Sequence, residues 1–363
     1  MAERELMKGN EAMAEAAIRA GCRYFFGYPI TPQSELLEYM AAHLGERGGV
    51  FLQAESEVAA INMVYGAAGA GARVMTATSS PGFSLMQEGI SYMAGAELPA
   101  VLINVMRGGP GLGDLQPSQA DYFQATRGGG HGDYRLIVLA PSTPQEAAEL
   151  TPIALDLADQ YRNPVLILAD SILAQVMEPI RLEPAADLAQ LPQKPWATTG
   201  RGTRDHNNVI NSLYLDAQDL YQLNLKLQEK YRRIDQCERR WWQSDVEDAD
   251  LMVVAFGSVA RLAAAAISRL RAQGYHIGLF PPVTLWPFPY AELAHAAASV
   301  HRVLDVELNA GQMIDDVRLA LQGRVPVDFF GRSGGVVPEV EELQEVIRQL
   351  VESDQTATTG RSV

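Results

Sequence analysis

Apolar and polar positions along this chain alternate between two periods. The run Pro99–Met106 (PAVLINVM) is almost continuously apolar, as in a strand covered on both faces, and Pro164–Ala169 repeats the pattern. Elsewhere apolar residues recur three and four apart, as at Val58, Ile61, Tyr65 and Ala68 after the short strand ending at Phe51-Leu52. The punctuation between these segments predicts helices at Gly9–Gly21, with Asn10 as cap, and at Thr143–Gln160. A helix also opens at Thr31, an N-cap followed by Pro32 in the first helical position, and another at Ser79-Ser80-Pro81-Gly82. Strands are predicted at Arg23–Gly27, Arg73–Thr78 and Leu136–Leu139. Strand and helix alternate about six times up to Ala169, which predicts an α/β fold with a doubly wound, mostly parallel sheet over residues 1–175.

Residues 176–247 break that rhythm. They are proline-rich, then polar, then amphipathic and charged from Leu213 to Trp242, the pattern of a linker carrying a surface helix. Alternation resumes at Leu251 and predicts a second, smaller α/β domain over residues 248–352, with an unstructured tail from Ser353 to Val363.

The formal charge of −15 argues against nucleic acid or an anionic membrane as partner, since both require a basic face. Acidic residues flank the one arginine-rich stretch, around Arg232 and Arg239. Two cysteines, Cys22 and Cys237, cannot build a zinc or iron–sulfur site and fit a reducing cytoplasm. No apolar run approaches a membrane span and no signal peptide precedes the first helix.

Ligands of open α/β sheets bind beyond the carboxyl ends of the strands. Three polar residues are predicted there: Thr31, Glu57 and Arg107. The plain alternative is that Thr31 and Glu55-Ser56-Glu57 only cap helices. A carboxylate, a hydroxyl and a guanidinium at one edge otherwise suit a small anionic substrate beside a cofactor that needs an acid partner. The glycine patterns at Gly66–Gly71 and Phe256-Gly257-Ser258 lack the context of nucleotide-binding loops, and His206 sits alone in a polar loop.

The stretches GNEAMAEAAIRAG, YFFGYPITPQSELLEYM, FLQAESEVAAINMVYGAAGAGARVMT and SSPGFSLMQEGISYMAGAELP resemble the α subunit of the 2-oxoacid:ferredoxin oxidoreductases, as do NVMRGGPG, QPSQADYFQAT and GHGDYR. The resemblance runs through nearly the whole chain. It implies the pyrimidine-binding fold of a thiamine diphosphate enzyme, followed by a domain similar to the transketolase C-terminal domain. Glu57 matches the glutamate that hydrogen-bonds the cofactor's aminopyrimidine ring and so favours the basic imino form. Pro29 and Ile30 flank that ring, and Thr31 and Arg107 match contacts to the substrate carboxylate. Coenzyme A is then the acyl acceptor and ferredoxin the electron acceptor.

The family's diphosphate site is a Gly-Asp-Gly motif followed by an asparagine. Gly132-Asp133-Tyr134 and Asn163 only mimic it, because the third glycine is absent and both segments precede strands. The resemblance therefore implies a β subunit carrying the diphosphate, Mg2+ and a [4Fe-4S] cluster, with γ and ferredoxin-like δ subunits in a dimer of heteromers. The loop Gly109–Asp121, with Leu112, is closest to the type acting on 3-methyl-2-oxobutanoate, and 2-oxoglutarate is the alternative. A free-standing thiamine enzyme would need the missing motif. A non-catalytic CoA- or nucleotide-binding subunit would leave the three edge residues a coincidence.

Overall fold

The computed structural model describes residues 4–359. In chain order the elements are β1 (Glu5–Lys8), α1 (Gly9–Arg19), β2 (Tyr24–Gly27), α2 (Ser34–His43), β3 (Val50–Gln53), α3 (Glu57–Gly69), β4 (Val74–Thr78) and α4 (Ser80–Gly95). Then come β5 (Ala100–Met106), α5 (Tyr122–Arg127), β6 (Ile137–Leu139), α6 (Pro144–Tyr161), β7 (Pro164–Asp170), α7 (Ser171–Gln175), β8 (Met177–Ile180) and α8 (Ala217–Cys237). The last part holds β9 (Leu251–Ala255), α9 (Gly257–Arg271), β10 (Ile277–Phe280), β11 (Thr284–Trp286), α10 (Tyr290–Ala296), β12 (Arg302–Glu307), α11 (Met313–Leu321), β13 (Val327–Gly331) and α12 (Val340–Thr359).

The predicted doubly wound sheet forms with strand order β11-β6-β7-β5-β4-β2-β3. Every pairing is parallel except β11 with β6. All of β5 and β7 is buried, as their continuous apolar sequence requires. From β2 the chain moves outward to β3, whereas from β4 it moves the other way to β5. The adjacent carboxyl ends of β2 and β4 therefore form the switch-point crevice of the sheet.

Several local expectations are corrected. Asn10 does not cap α1: the chain enters from β1, and the Glu11 carboxylate accepts the Lys8 N–H at 2.8 Å. The fully buried Asn10 instead donates to the Pro32 carbonyl at 2.8 Å. Thr31 is likewise no cap, because α2 begins only at Ser34 after a cis Thr31-Pro32 bond. The tail continues α12 to Thr359, as the chain meets no glycine until Gly360; residues 360–363 lie outside the described part.

The stretch after α7 lies against the first sheet's layers. β8 pairs with β1, and α8 buries Leu227, Tyr231 and Ile234. A second sheet, parallel throughout with order β10-β9-β12-β13, forms from the last part of the chain. Nothing in the sequence pattern announced β11, which leaves this unit to extend the edge of the first sheet. Acids pair with Arg232, Arg239 and Arg240 of this stretch, Arg239 with Asp235 at 2.9 Å and Arg240 with Glu238 at 2.9 Å, while Arg233 lies over the Tyr161 ring.

Asp170, at the carboxyl end of β7, joins the two sheets. Its Oδ1 accepts the Ile172 and Leu173 amides of α7, and its Oδ2 accepts the Ser258 hydroxyl at 2.6 Å. Burial raises this carboxyl above the usual range, against the pull of those donors. Ser258→Ala should cost about 1–3 kcal/mol, as expected for a buried acceptor losing a donor. Because the Ser258 hydroxyl is one of the groups holding this carboxyl down, its loss raises the acid further in the variant than in the wild type. The variant's folded state then takes up its proton first, and the deficit in melting temperature should narrow as pH falls.

Candidate active site

The turn after β3 frees Glu57 from a capping role. Ser56 is the N-cap of α3, its hydroxyl accepting the Ala59 N–H at 3.1 Å, and Glu57 is the first helical residue. Glu57 is 5% exposed, yet no hydrogen-bond donor serves its carboxylate among the described residues. It rests against the start of α4: a Cβ on Gly82 would lie 2.4 Å from Glu57 Oε1 and 2.1 Å from Thr78 Oγ1.

Arg107 follows β5 and is also buried. Its Nη1 donates to the Thr31 carbonyl at 2.9 Å, reaching past β4, and its Nη2 donates to the Leu112 carbonyl at 3.1 Å. Among the described residues it has no carboxylate partner, and its Nε finds no acceptor. The structure thus brings Arg107 and Thr31 together, though Thr31 contributes its carbonyl to the contact. Glu57 stands at the same edge, on the other side of the switch point, with α4 between the two groups.

The loop from Tyr28 to Gln33 is firmly held. The Pro32 carbonyl accepts both Asn10 and Gln175, and the Gln33 side chain donates to the Tyr28 carbonyl at 3.0 Å. Pro29 and Thr31 are exposed on it and Ile30 half-buried. A cleft of about 410 Å3 opens beside Thr31, lined in part by Glu35, Leu115, Gln116, Ser171 and Gln175.

Polar groups that sequence patterns did not single out complete the edge. Thr78 Oγ1, Ser79 Oγ and Asn104 Oδ1 are buried without partners. Asp121 accepts the Ser80 hydroxyl at 2.6 Å and the Asn104 amide at 2.8 Å; burial raises its carboxyl, and those two donors counter it. The one available signal was Gly82 directly after Ser80-Pro81, a glycine spent in the first turn of a helix. Asn163 donates to the Arg135 carbonyl at 3.0 Å at the amino ends of β6 and β7, away from this edge.

A large, mostly parallel sheet with this switch point is consistent with the pyrimidine-binding fold of a thiamine diphosphate enzyme. The family model "Pyruvate flavodoxin/ferredoxin oxidoreductase, thiamine diP-bdg" matches residues 15–241, and "Pyruvate:ferredoxin oxidoreductase core domain II" matches residues 249–343. Ketoisovalerate oxidoreductase subunit VorB of Methanothermobacter thermautotrophicus is 47% identical over 95% of this chain and 97% of its own. The 2-oxoglutarate synthase subunit KorA of Archaeoglobus fulgidus is 38% identical over 95% of this chain and 99% of its own. The chain belongs to the 2-oxoacid:ferredoxin oxidoreductase family.

Among solved structures, 2-oxoglutarate:ferredoxin oxidoreductase from Magnetococcus marinus superposes with a TM-score of 0.86 at 28% identity. That match covers 96% of this chain and 65% of the longer solved chain. A split-gene transketolase matches in fold alone, with a TM-score of 0.59 at 14% identity. No helix among the described residues is long and apolar enough to cross a membrane.

Gly82→Ala should destabilise the protein by about 1–3 kcal/mol, the usual cost of forcing a methyl into occupied space. In a Glu57→Ala background the penalty should shrink, because one of the two colliding groups is gone. Thermal melting of the four proteins of this cycle checks the coupling.

Proposed function

We propose that this chain is the α-type subunit of a CoA-acylating 2-oxoacid:ferredoxin oxidoreductase whose preferred substrate is 3-methyl-2-oxobutanoate. The observation that carries this reading is Arg107, a guanidinium 6% exposed with no carboxylate partner among the described residues, at a ligand-binding sheet edge. A buried cation is costly unless an anion neutralises it, and a guanidinium suits the two oxygens of a carboxylate. The exposed Thr31 hydroxyl would be a second donor to that carboxylate.

Thiamine diphosphate, when bound, supplies the electron sink for decarboxylation of the 2-oxo acid. The residues present fit its aminopyrimidine end: Glu57 is 5% exposed, its carboxylate has no donor among the described residues, and it would accept a hydrogen bond from a ring nitrogen. Pro29 and Ile30 would flank the ring from the loop after β2. Gly132-Asp133-Tyr134 lacks the third glycine of the diphosphate motif, and Asn163 lies at the amino ends of β6 and β7, the wrong edge of the sheet. On that ground we assign the diphosphate, Mg2+ and the [4Fe-4S] cluster to a β subunit, with γ and ferredoxin-like δ subunits completing a cytoplasmic dimer of heteromers that delivers electrons to ferredoxin. Leu52, Val58 and Leu85 are 42%, 44% and 54% exposed, an apolar rim that such a partner would cover.

The branched substrate is favoured by the relative named a ketoisovalerate oxidoreductase subunit and by Leu112, a residue 79% exposed whose carbonyl accepts from Arg107. A second reading, 2-oxoglutarate, draws on the relatives and the solved structure that carry that name.

In the complex purified through this chain, CoA-dependent dye reduction should be led by 3-methyl-2-oxobutanoate over pyruvate and 2-oxoglutarate. Leadership by 2-oxoglutarate would overturn the substrate assignment and leave the family intact. Glu57→Ala should preserve assembly while lowering turnover by about 100-fold or more, in line with loss of acid–base activation. Arg107→Ala should raise KM for the 2-oxo acid, and an unchanged KM would count against its carboxylate role.

A further inference from the structure

The segment between the Arg107 loop and α5 is fastened to the second domain by side chains from both sides. Gln119 exchanges hydrogen bonds with the main chain of Leu308, its N–H reaching the carbonyl at 2.9 Å and its Oε1 accepting the amide at 3.0 Å. Its Nε2 donates to the Phe256 carbonyl at 2.7 Å. Gln312 clamps the next turn, donating to the Ala120 carbonyl at 2.7 Å and accepting the Phe123 N–H at 2.8 Å. Tyr122 donates to Asp316 at 2.7 Å.

Asp121 sits inside this clamped segment and faces the other way. Its Oδ2 takes the Ser80 hydroxyl and the Asn104 amide, and Ser80 Oγ in turn accepts the backbone N–H of Arg107 at 3.0 Å. The same segment meets the Arg107 strand end directly, where the Gly108 N–H donates to the Gln116 carbonyl at 2.9 Å. Hydrogen bonds with Gln312 and Asp316 thus hold residues 120–123 on both sides of Asp121, and the Asp121 side chain hydrogen-bonds Ser80, which bonds the main chain of Arg107.

We propose that Asp121 is a positioning residue for the substrate-binding arginine, and that through it the docked second domain sets where the Arg107 guanidinium stands. This deepens the function proposed above and rests on Arg107 binding the 2-oxo acid. Among the described residues no side chain of the second domain hydrogen-bonds Arg107, yet the domain's contact with residues 119–123 fixes the segment that carries Asp121. Losing the Asp121 carboxylate frees Ser80 Oγ and lets the β5 end shift, and displacement on this scale weakens binding by about tenfold or more.

The test uses the assembled complex and measures KM and kcat for the 2-oxo acid, thiamine diphosphate affinity and melting temperature. Asp121→Ala should raise KM about tenfold with kcat and thiamine diphosphate affinity little changed, as for a defect confined to substrate positioning. Asp121→Asn, which keeps an acceptor oxygen, should restore most of the loss, and Gln312→Ala should raise KM in the same direction. In an Arg107→Ala background neither Asp121→Ala nor Gln312→Ala should raise KM further. Should Asp121→Ala fail to assemble, Ser80→Ala breaks the same link to Arg107 and must reproduce the KM rise.

If Arg107→Ala raises KM and neither Asp121→Ala nor Ser80→Ala does, the positioning role is overturned and the carboxylate role of Arg107 stands. Additive effects in the double variants overturn it too. An unchanged Gln312→Ala overturns the part assigned to the second domain. An unchanged KM in Arg107→Ala itself removes the reading on which this proposal rests.

Discussion

Arg107 holds a guanidinium out of water at the carboxyl end of β5, with two main-chain carbonyls as acceptors and no carboxylate among the described residues. An arrangement of this kind is unfavourable for an isolated chain and becomes favourable when an anion enters. Contacts distant in the chain set where Arg107 stands. The Thr31 carbonyl reaches Arg107 because Asn10 and Gln175 hold the loop after β2, and Leu112 reaches it because the glycine-rich loop folds back over the strand end. Glu57 offers the complementary case on the other flank of the switch point, a carboxylate that no donor among the described residues serves, on a residue 5% exposed.

In the function proposed here the two groups would divide the labour of a thiamine diphosphate site shared between chains, Glu57 serving the nitrogen-bearing ring of the cofactor and Arg107 the carboxylate of the substrate. Packing rather than pairing places these groups: Gly82 leaves room for the Glu57 carboxylate, and β4 and β5 are buried along their full length. The second domain contributes by holding the segment after the Arg107 loop, and Asp170 fixes the start of α9 at the end of β7.

Much of this was legible in the sequence. The continuous apolar runs of β5 and β7 declare a sheet covered on both faces, and placing Thr31, Glu57 and Arg107 after strands puts them on one edge. What could not be read is what depends on contacts distant in the chain. β11 joins the first sheet from the far domain, and three residues give no propensity signal for such a pairing. Asn10 looked like a cap because its type favours caps; burial against the Pro32 loop decided otherwise. Asp121 and Ser80 are ordinary turn and helix-start residues until β5 and the second domain bring them beside Arg107.

The most direct test is the structure of the assembled complex with thiamine diphosphate and 3-methyl-2-oxobutanoate, obtained without CoA. The account predicts the substrate carboxylate, or the site it vacates, within hydrogen-bond distance of the Arg107 guanidinium and the Thr31 hydroxyl, with the Glu57 carboxylate on the aminopyrimidine ring. A substrate carboxylate held by the partner chain, with Arg107 still bonded only to main-chain carbonyls, would contradict it.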